Sequence, residues 1–160
     1  MSRATSVENP PRFVVWLFLS GLALMLALPA WASLGDNVSS VENDKAHMKG
    51  TLRSVTTAGY VKHEIQVSTG LIVREFVSPE GTVFGVAWEG PFQPELQKVL
   101  GSYFETMKQA IAAQQRHGRG PVSIQNSGFV FQQGGHMRSF HGRAYVPTLL
   151  PPNVHPTEVQ

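Results

Sequence analysis

Apolar and polar positions alternate from Tyr60 to Val67 (YVKHEIQV), with Val61, His63, Ile65 and Val67 on one side and Tyr60, Lys62, Glu64 and Gln66 on the other. A period of two with β-branched residues predicts a half-buried strand. Thr69-Gly70 then turns the chain into Leu71–Pro91 (LIVREFVSPEGTVFGVAWEGP), which reads as strands Ile72–Val77 and Val83–Trp88 joined by Ser78-Pro79-Glu80-Gly81. Proline presets φ in such a turn, and glycine accepts a positive φ. In the first strand Ile72, Arg74 and Phe76 share one face, and Val73, Glu75 and Val77 share the other. In the second, strict alternation puts Phe84, Val86 and Trp88 on a bulky face and Val83, Gly85 and Ala87 on a small one. The small side suits close packing of a helix or a second sheet; alternatively, Gly85 marks a bulge.

The period changes after Gly90-Pro91. Leu96, Val99, Leu100, Tyr103, Phe104, Met107 and Ile111 recur at helical spacing, opposite Gln97, Lys98, Glu105, Lys108 and Gln109. This predicts one amphipathic helix from Pro94 to Gln115, with Gly101 as its weak point and Gly118 as its stop. Beyond the Gly118–Pro121 loop, Val122–Gln125 and Phe129–Gln133 read as a hairpin across Asn126-Ser127-Gly128. Gly134-Gly135 turns into a final strand, His136–Val146, with a possible break at Gly142. The expected fold is α+β: a small antiparallel sheet of about five to six strands in βββ-α-βββ order, packed against one amphipathic helix.

The flanks are of different character. Arg3 and Arg12 precede an uncharged apolar run, Phe13–Leu28, followed by Pro29-Ala30-Trp31-Ala32. This is the charged, apolar, small-x-small order of a secretory signal peptide cleaved after Ala32. The expected location is the periplasm or the medium. The alternative is an uncleaved inner-membrane anchor with the domain outside, which is the only membrane contact expected; the run is short for a span. The expected organisation is residues 1–32 signal peptide, 33–57 a polar flexible lead-in with room for a short edge strand at Thr51–Val55, 58–148 a single α+β domain, and 149–160 a proline-rich tail. The tail holds Pro151, Pro152 and Pro156 and is a poor candidate for regular structure.

Charge and cysteine use remove whole classes of chemistry. Of 13 Lys+Arg and 11 Asp+Glu, only Arg3, Arg12 and Glu8 fall in the leader, so the remainder is nearly balanced. No Lys/Arg cluster invites nucleic acid. There is no cysteine, hence no disulfide, thiol catalysis or thiolate-bound metal, and stability must come from packing.

Three stretches, REFVSPEGTVFGVAWEGPFQPEL (Arg74–Leu96), LGSYF (Leu100–Phe104) and GRGPV with GGHMRSFHGRAYVP (Gly118–Val122 and Gly134–Pro147), resemble the DUF2844 family of uncharacterised exported proteobacterial proteins. The resemblance spans nearly the whole chain after the leader. It implies a single exported domain and supplies no catalytic residues.

No catalytic constellation accompanies these elements. His136 and His141 lie five apart, which on one regular strand points their rings to opposite faces. A metal site would need a bulge and a glutamate from another strand, Glu75, Glu80 or Glu89. Those carboxylates have ordinary explanations in a turn, at a strand end or in cross-strand ion pairs. Ser139 and His141 share a face without a nucleophile elbow, and neither glycine pair forms a phosphate loop. The best-motivated binding residues are Arg119, Arg138 and Arg143, an anion-binding patch if their loops converge, with His136 and His141 as the other candidate binding residues. The sequence therefore predicts a non-enzymatic binding or accessory module with no cofactor, its partner an envelope protein or a small anionic ligand. The alternative is a small envelope hydrolase or metal-binding protein using His136, His141 and a glutamate.

Overall fold

The computed structural model describes residues 34–114 and 120–160. The expected signal peptide and Arg119 lie outside the described residues, in which no helix is long and apolar enough to cross a membrane. Among the described residues, three α-helices, α1 (Ser39–Met48), α2 (Leu96–Leu100) and α3 (Tyr103–Ala113), accompany seven strands. The strands are β1 (Thr51–Thr56), β2 (Val61–Gln66), β3 (Ile72–Val77), β4 (Val83–Gly90), β5 (Val122–Gln125), β6 (Val130–His136) and β7 (Ser139–Tyr145). They form one antiparallel sheet in the order β1-β2-β3-β4-β7-β6-β5.

The α+β class holds, but the strand count and order need correction. The sheet has seven strands, four before the α2–α3 segment and three after it. The added strand is β1, the edge strand for which the sequence left room at Thr51–Val55, with Arg53, Ser54 and Val55 paired to Glu64, His63 and Lys62 of β2. The final strand is shorter than expected. Gly134-Gly135 stays within β6, and the chain turns at Met137-Arg138, so His136 pairs with Ser139. The single expected helix is two, because Gly101 adopts φ 51° and ψ −123° and interrupts it.

β4 is the middle of the sheet, and Val83 to Trp88 are all buried. Its strict alternation fails at one place. Val83 pairs with Val77 while Gly85 pairs with Phe76, so Phe84 is an extra residue in the ladder. This bulge sends Phe84 away from Val86 and Trp88, and the three do not form one bulky face. Val86 and Trp88 face the helices with Val73, Phe131 and Ala144, whereas Phe84 joins Phe76 and Ala87 on the other side. Trp88 stands 5.8 Å from Phe131, ring to ring, and its indole fills the space a Cβ on Gly142 would need.

Each side is covered by a different part of the chain. On the helix side, Leu100 and Met107 pack with Leu34 and Val41 from the segment expected to be a flexible lead-in. That segment instead holds α1. Backbone bonds fix its start along β4, with Gly35 donating to Val83 and Val83 donating to Asp36. Its polar composition hid the two residues, Leu34 and Val41, that anchor it (both 1 % exposed).

On the other side, the proline-rich tail is the covering layer. Two single-turn 3-10 helices, Pro147–Leu149 and Pro156–Glu158, carry it across the sheet. Val154 and Val159 pack there against Phe76, Phe84 and Ala87. Arg143 Nη1 donates to the carbonyls of Pro156 and Val159 at 3.2 and 3.4 Å. Tyr60 is tied to Glu158; burial first, then the charge and hydrogen bond of Glu158, push the phenol above its ordinary pKa.

Trp88→Ala should cost about 3–5 kcal/mol, read from urea unfolding, because the indole is core on the helix side. A loss below about 1 kcal/mol would place the ring outside the core. Gly81, at φ 84°, closes the β3–β4 turn with its N–H on the Ser78 carbonyl at 2.9 Å. Gly81→Val should therefore lower the thermal midpoint, whereas Pro79→Ala should change it far less.

Candidate binding cleft

The tail side of the sheet carries a row that is polar at every strand except β4, where Ala87 stands. Register aligns Arg53, Glu64, Arg74, Ala87, Arg143, Gln132 and Ser123 across β1-β2-β3-β4-β7-β6-β5. The next row holds Ile72, Glu89, His141 and Gly134. Directly opposed residues on one face stand about 4.5–5.5 Å apart at Cβ, so neighbours in a row interact. Ala87 and Gly134 are the small members of these rows. They leave a depression flanked by Arg74 on one side and Arg143 on the other, while Thr157 and Gln160 of the tail form its rim. The cleft measures about 760 Å³, within the range of small-molecule sites.

The two arginines differ. Arg74 donates from Nε to Glu64 at 3.0 Å and from Nη2 to Glu89 at 2.6 Å, so two carboxylates compensate its charge. Burial works against its ionised form, and the bonds to Glu89 and Glu64 outweigh it, holding its pKa above the ordinary value. Arg143 meets only neutral acceptors among the described residues: Gln132 Oε1 at 2.8 Å and the two tail carbonyls. Its guanidinium also lies 6.0 Å from the Tyr145 ring. Beside it, His141 is exposed and makes no side-chain hydrogen bond among the described residues. Its Nε2 lies over Gly134, 3.1 Å from where a Cβ would sit. Glu89 lines the same cleft but is bonded to Arg74, so Arg143, with no carboxylate partner among the described residues and an exposed imidazole beside it, can receive an anion or a hydroxyl acceptor.

The structure thus brings together two of the five expected binding residues, His141 and Arg143. Arg119 lies outside the described residues. His136 sits at the end of β6, with Nδ1 3.2 Å from the Met137 carbonyl, and Arg138 occupies the exposed turn with φ 64°. Neither lines the cleft. Because the chain turns at Met137-Arg138, His136 and His141 lie on adjacent strands and not on one. Arg74, Gln132 and Ser123 enter the site through strand pairing, which local alternation alone does not reveal.

The glutamates separate clearly. Glu89 is opposite His141 and bonds Arg74. Glu80 is in the exposed β3–β4 turn, where the Ser78 hydroxyl and its own backbone hold its carboxyl below the usual range. Glu75 faces the helix side, only 2 % exposed, opposite His63, whose Nδ1 is 2.8 Å from Ser54 Oγ. Among the described residues no group of three or more His, Cys, Asp or Glu is placed to hold a metal ion.

Arg74→Gln should lower stability by about 1–2 kcal/mol, a figure discounted because Glu89 is half exposed. The loss should shrink in high salt, since screening weakens the native pairs; denaturant titrations at two ionic strengths check both.

Compared with protein-family models, residues 30–159 match one described as a protein of unknown function, DUF2844. Among curated proteins and among solved structures, nothing matches.

Proposed function

Since the chain belongs to the DUF2844 family, whose description names no activity, we propose from the site itself that it is a non-enzymatic binding or accessory module that takes a small anionic ligand. The observation that carries this reading is Arg143. Its positive charge meets only neutral acceptors among the described residues and borders a cleft sized for a small molecule. His141 supplies a second donor, and Ser123 and Thr157 supply hydroxyls at the edge. Ligand binding would also brace the tail, because the same guanidinium holds the Pro156 and Val159 carbonyls. The leader sequence supports action outside the cytoplasm, in the periplasm or envelope.

Amide NMR titration with phosphate, succinate and citrate tests the proposal. Resonances of Ser123, Gln132, His141 and Arg143 should move together for at least one anion. Arg143→Lys should retain part of the response, and His141→Ala should weaken it without unfolding the protein. A titration that moves no cleft resonance with any of the anions would contradict the reading. N-terminal sequencing of the envelope form should begin at Ser33; retention of residues 1–32 would favour the anchored alternative.

A further inference from the structure

The cleft beside Arg143 has two ends of opposite character. A guanidinium carries five N–H donors on three nitrogens. At Arg143, Nε donates to Gln132 Oε1 at 2.8 Å, and Nη1 donates to the Pro156 and Val159 carbonyls at 3.2 and 3.4 Å. Nη2 makes no hydrogen bond among the described residues, so an anion meets this cation through that nitrogen and not through a two-pronged fork. The His141 ring, two residues along β7 on the same face, is placed to supply a second donor. Gln132 accepts through Oε1 and keeps its amide Nε2 as a further donor, with Ser123 opposite it in β5. The other end of the cleft is an acceptor. Glu89 is half exposed and bonds Arg74 through Oε1 at 2.6 Å, while its Oε2 makes no hydrogen bond among the described residues. Glu89 pairs with His141 and so lies diagonal to Arg143, and diagonal neighbours on a sheet face stand about 7–8 Å apart.

We propose that the ligand is a hydroxylated monocarboxylate of the sugar-acid class, with its carboxylate on Arg143 Nη2 and the His141 ring and its hydroxyls on Glu89 Oε2 and Ser123. This rests on the reading of the cleft as an anion site. One open guanidinium nitrogen answers one anionic oxygen, not the several of a phosphate group. A dicarboxylate would bring its second charge toward Glu89, and like charges repel. An ammonium group would be a surplus cation there, because Arg74 already compensates Glu89. A hydroxyl donates to Oε2 without adding charge, and a hydrogen bond to a charged group is the stronger kind. The cleft of about 760 Å³ leaves space for a ring beyond the carboxylate. Its surface at Gly134 is partly apolar: a Cβ there would stand 4.0 Å from Pro121 Cβ and 3.5 Å from His141 Cε1, so the C–H face of a sugar ring finds carbon to rest on.

Isothermal titration calorimetry of the protein purified from the envelope, with glucuronate, glucose, succinate and alanine, tests the proposal. Glucuronate should bind at least about tenfold more tightly than each of the other three. Glu89→Gln removes the charge and puts an amide in place of the acceptor. It should weaken glucuronate by about fivefold or more and tighten succinate. Equal weakening of both would overturn the contact to Glu89. If that variant fails to fold, the ranking of the four ligands by the unaltered protein decides. Succinate binding as tightly as glucuronate would overturn the sugar-acid assignment and leave the anion site standing. Alanine binding more tightly than glucuronate would overturn it in favour of an ammonium at Glu89. Glucose matching glucuronate, or no heat from either anion, would overturn the assignment and the anion site together.

Discussion

A strand buried on both faces needs a layer on each side of it, and β4 is such a strand. Its burial from Val83 to Trp88 takes every side chain out of water, including an indole and a phenyl ring. The bulge at Phe84 divides that apolar load, Trp88 to the helices and Phe84 to the tail. The helix layer alone would leave Phe76 and Phe84 in water. Burying each such side chain stabilises the fold by about 1.5–3 kcal/mol, which is why a proline-rich tail with few apolar residues is held in place by Val154 and Val159.

The cleft follows from the same division. The tail covers the Phe76–Phe84 part of the sheet and stops at Arg143, which clasps it through two carbonyls. Beyond that clasp the sheet is uncovered, and its floor is small at Gly134, with Ala87 at the inner edge where the tail's cover ends. One residue thus closes the core and opens the site. Arg74 ties the opposite wall to Glu64 and Glu89, whereas Arg143 has no carboxylate partner among the described residues.

Local patterning made much of this fold legible. Alternation in Tyr60–Val67 and Ile72–Val77, the proline-glycine turn before β4, the Asn126–Gly128 hairpin and the apolar stripe of α3 each reflect a single element meeting a single core face. The errors share a different cause. Phe84 moved because a bulge is a property of two paired strands. The Met137-Arg138 turn was hidden by Gly134-Gly135, a stronger local turn signal that the ladder overrides. α1 is polar along most of its length, and two buried residues, Leu34 and Val41, suffice to dock its segment. The site was half visible for the same reason: His141 and Arg143 are two apart on one strand, whereas Arg74, Gln132 and Ser123 join them only through register.

The dependence of the fold on its second layer is tested most directly by removing that layer. A chain ending at Leu150 loses Val154 and Val159 and uncovers Phe76 and Phe84 while keeping the residues of β1–β7 and α1–α3. Urea unfolding should show a loss of at least about 3 kcal/mol, with new binding of a hydrophobic dye to the native state. A truncated protein as stable as the full chain, with no dye binding, would contradict the two-sided burial of β4.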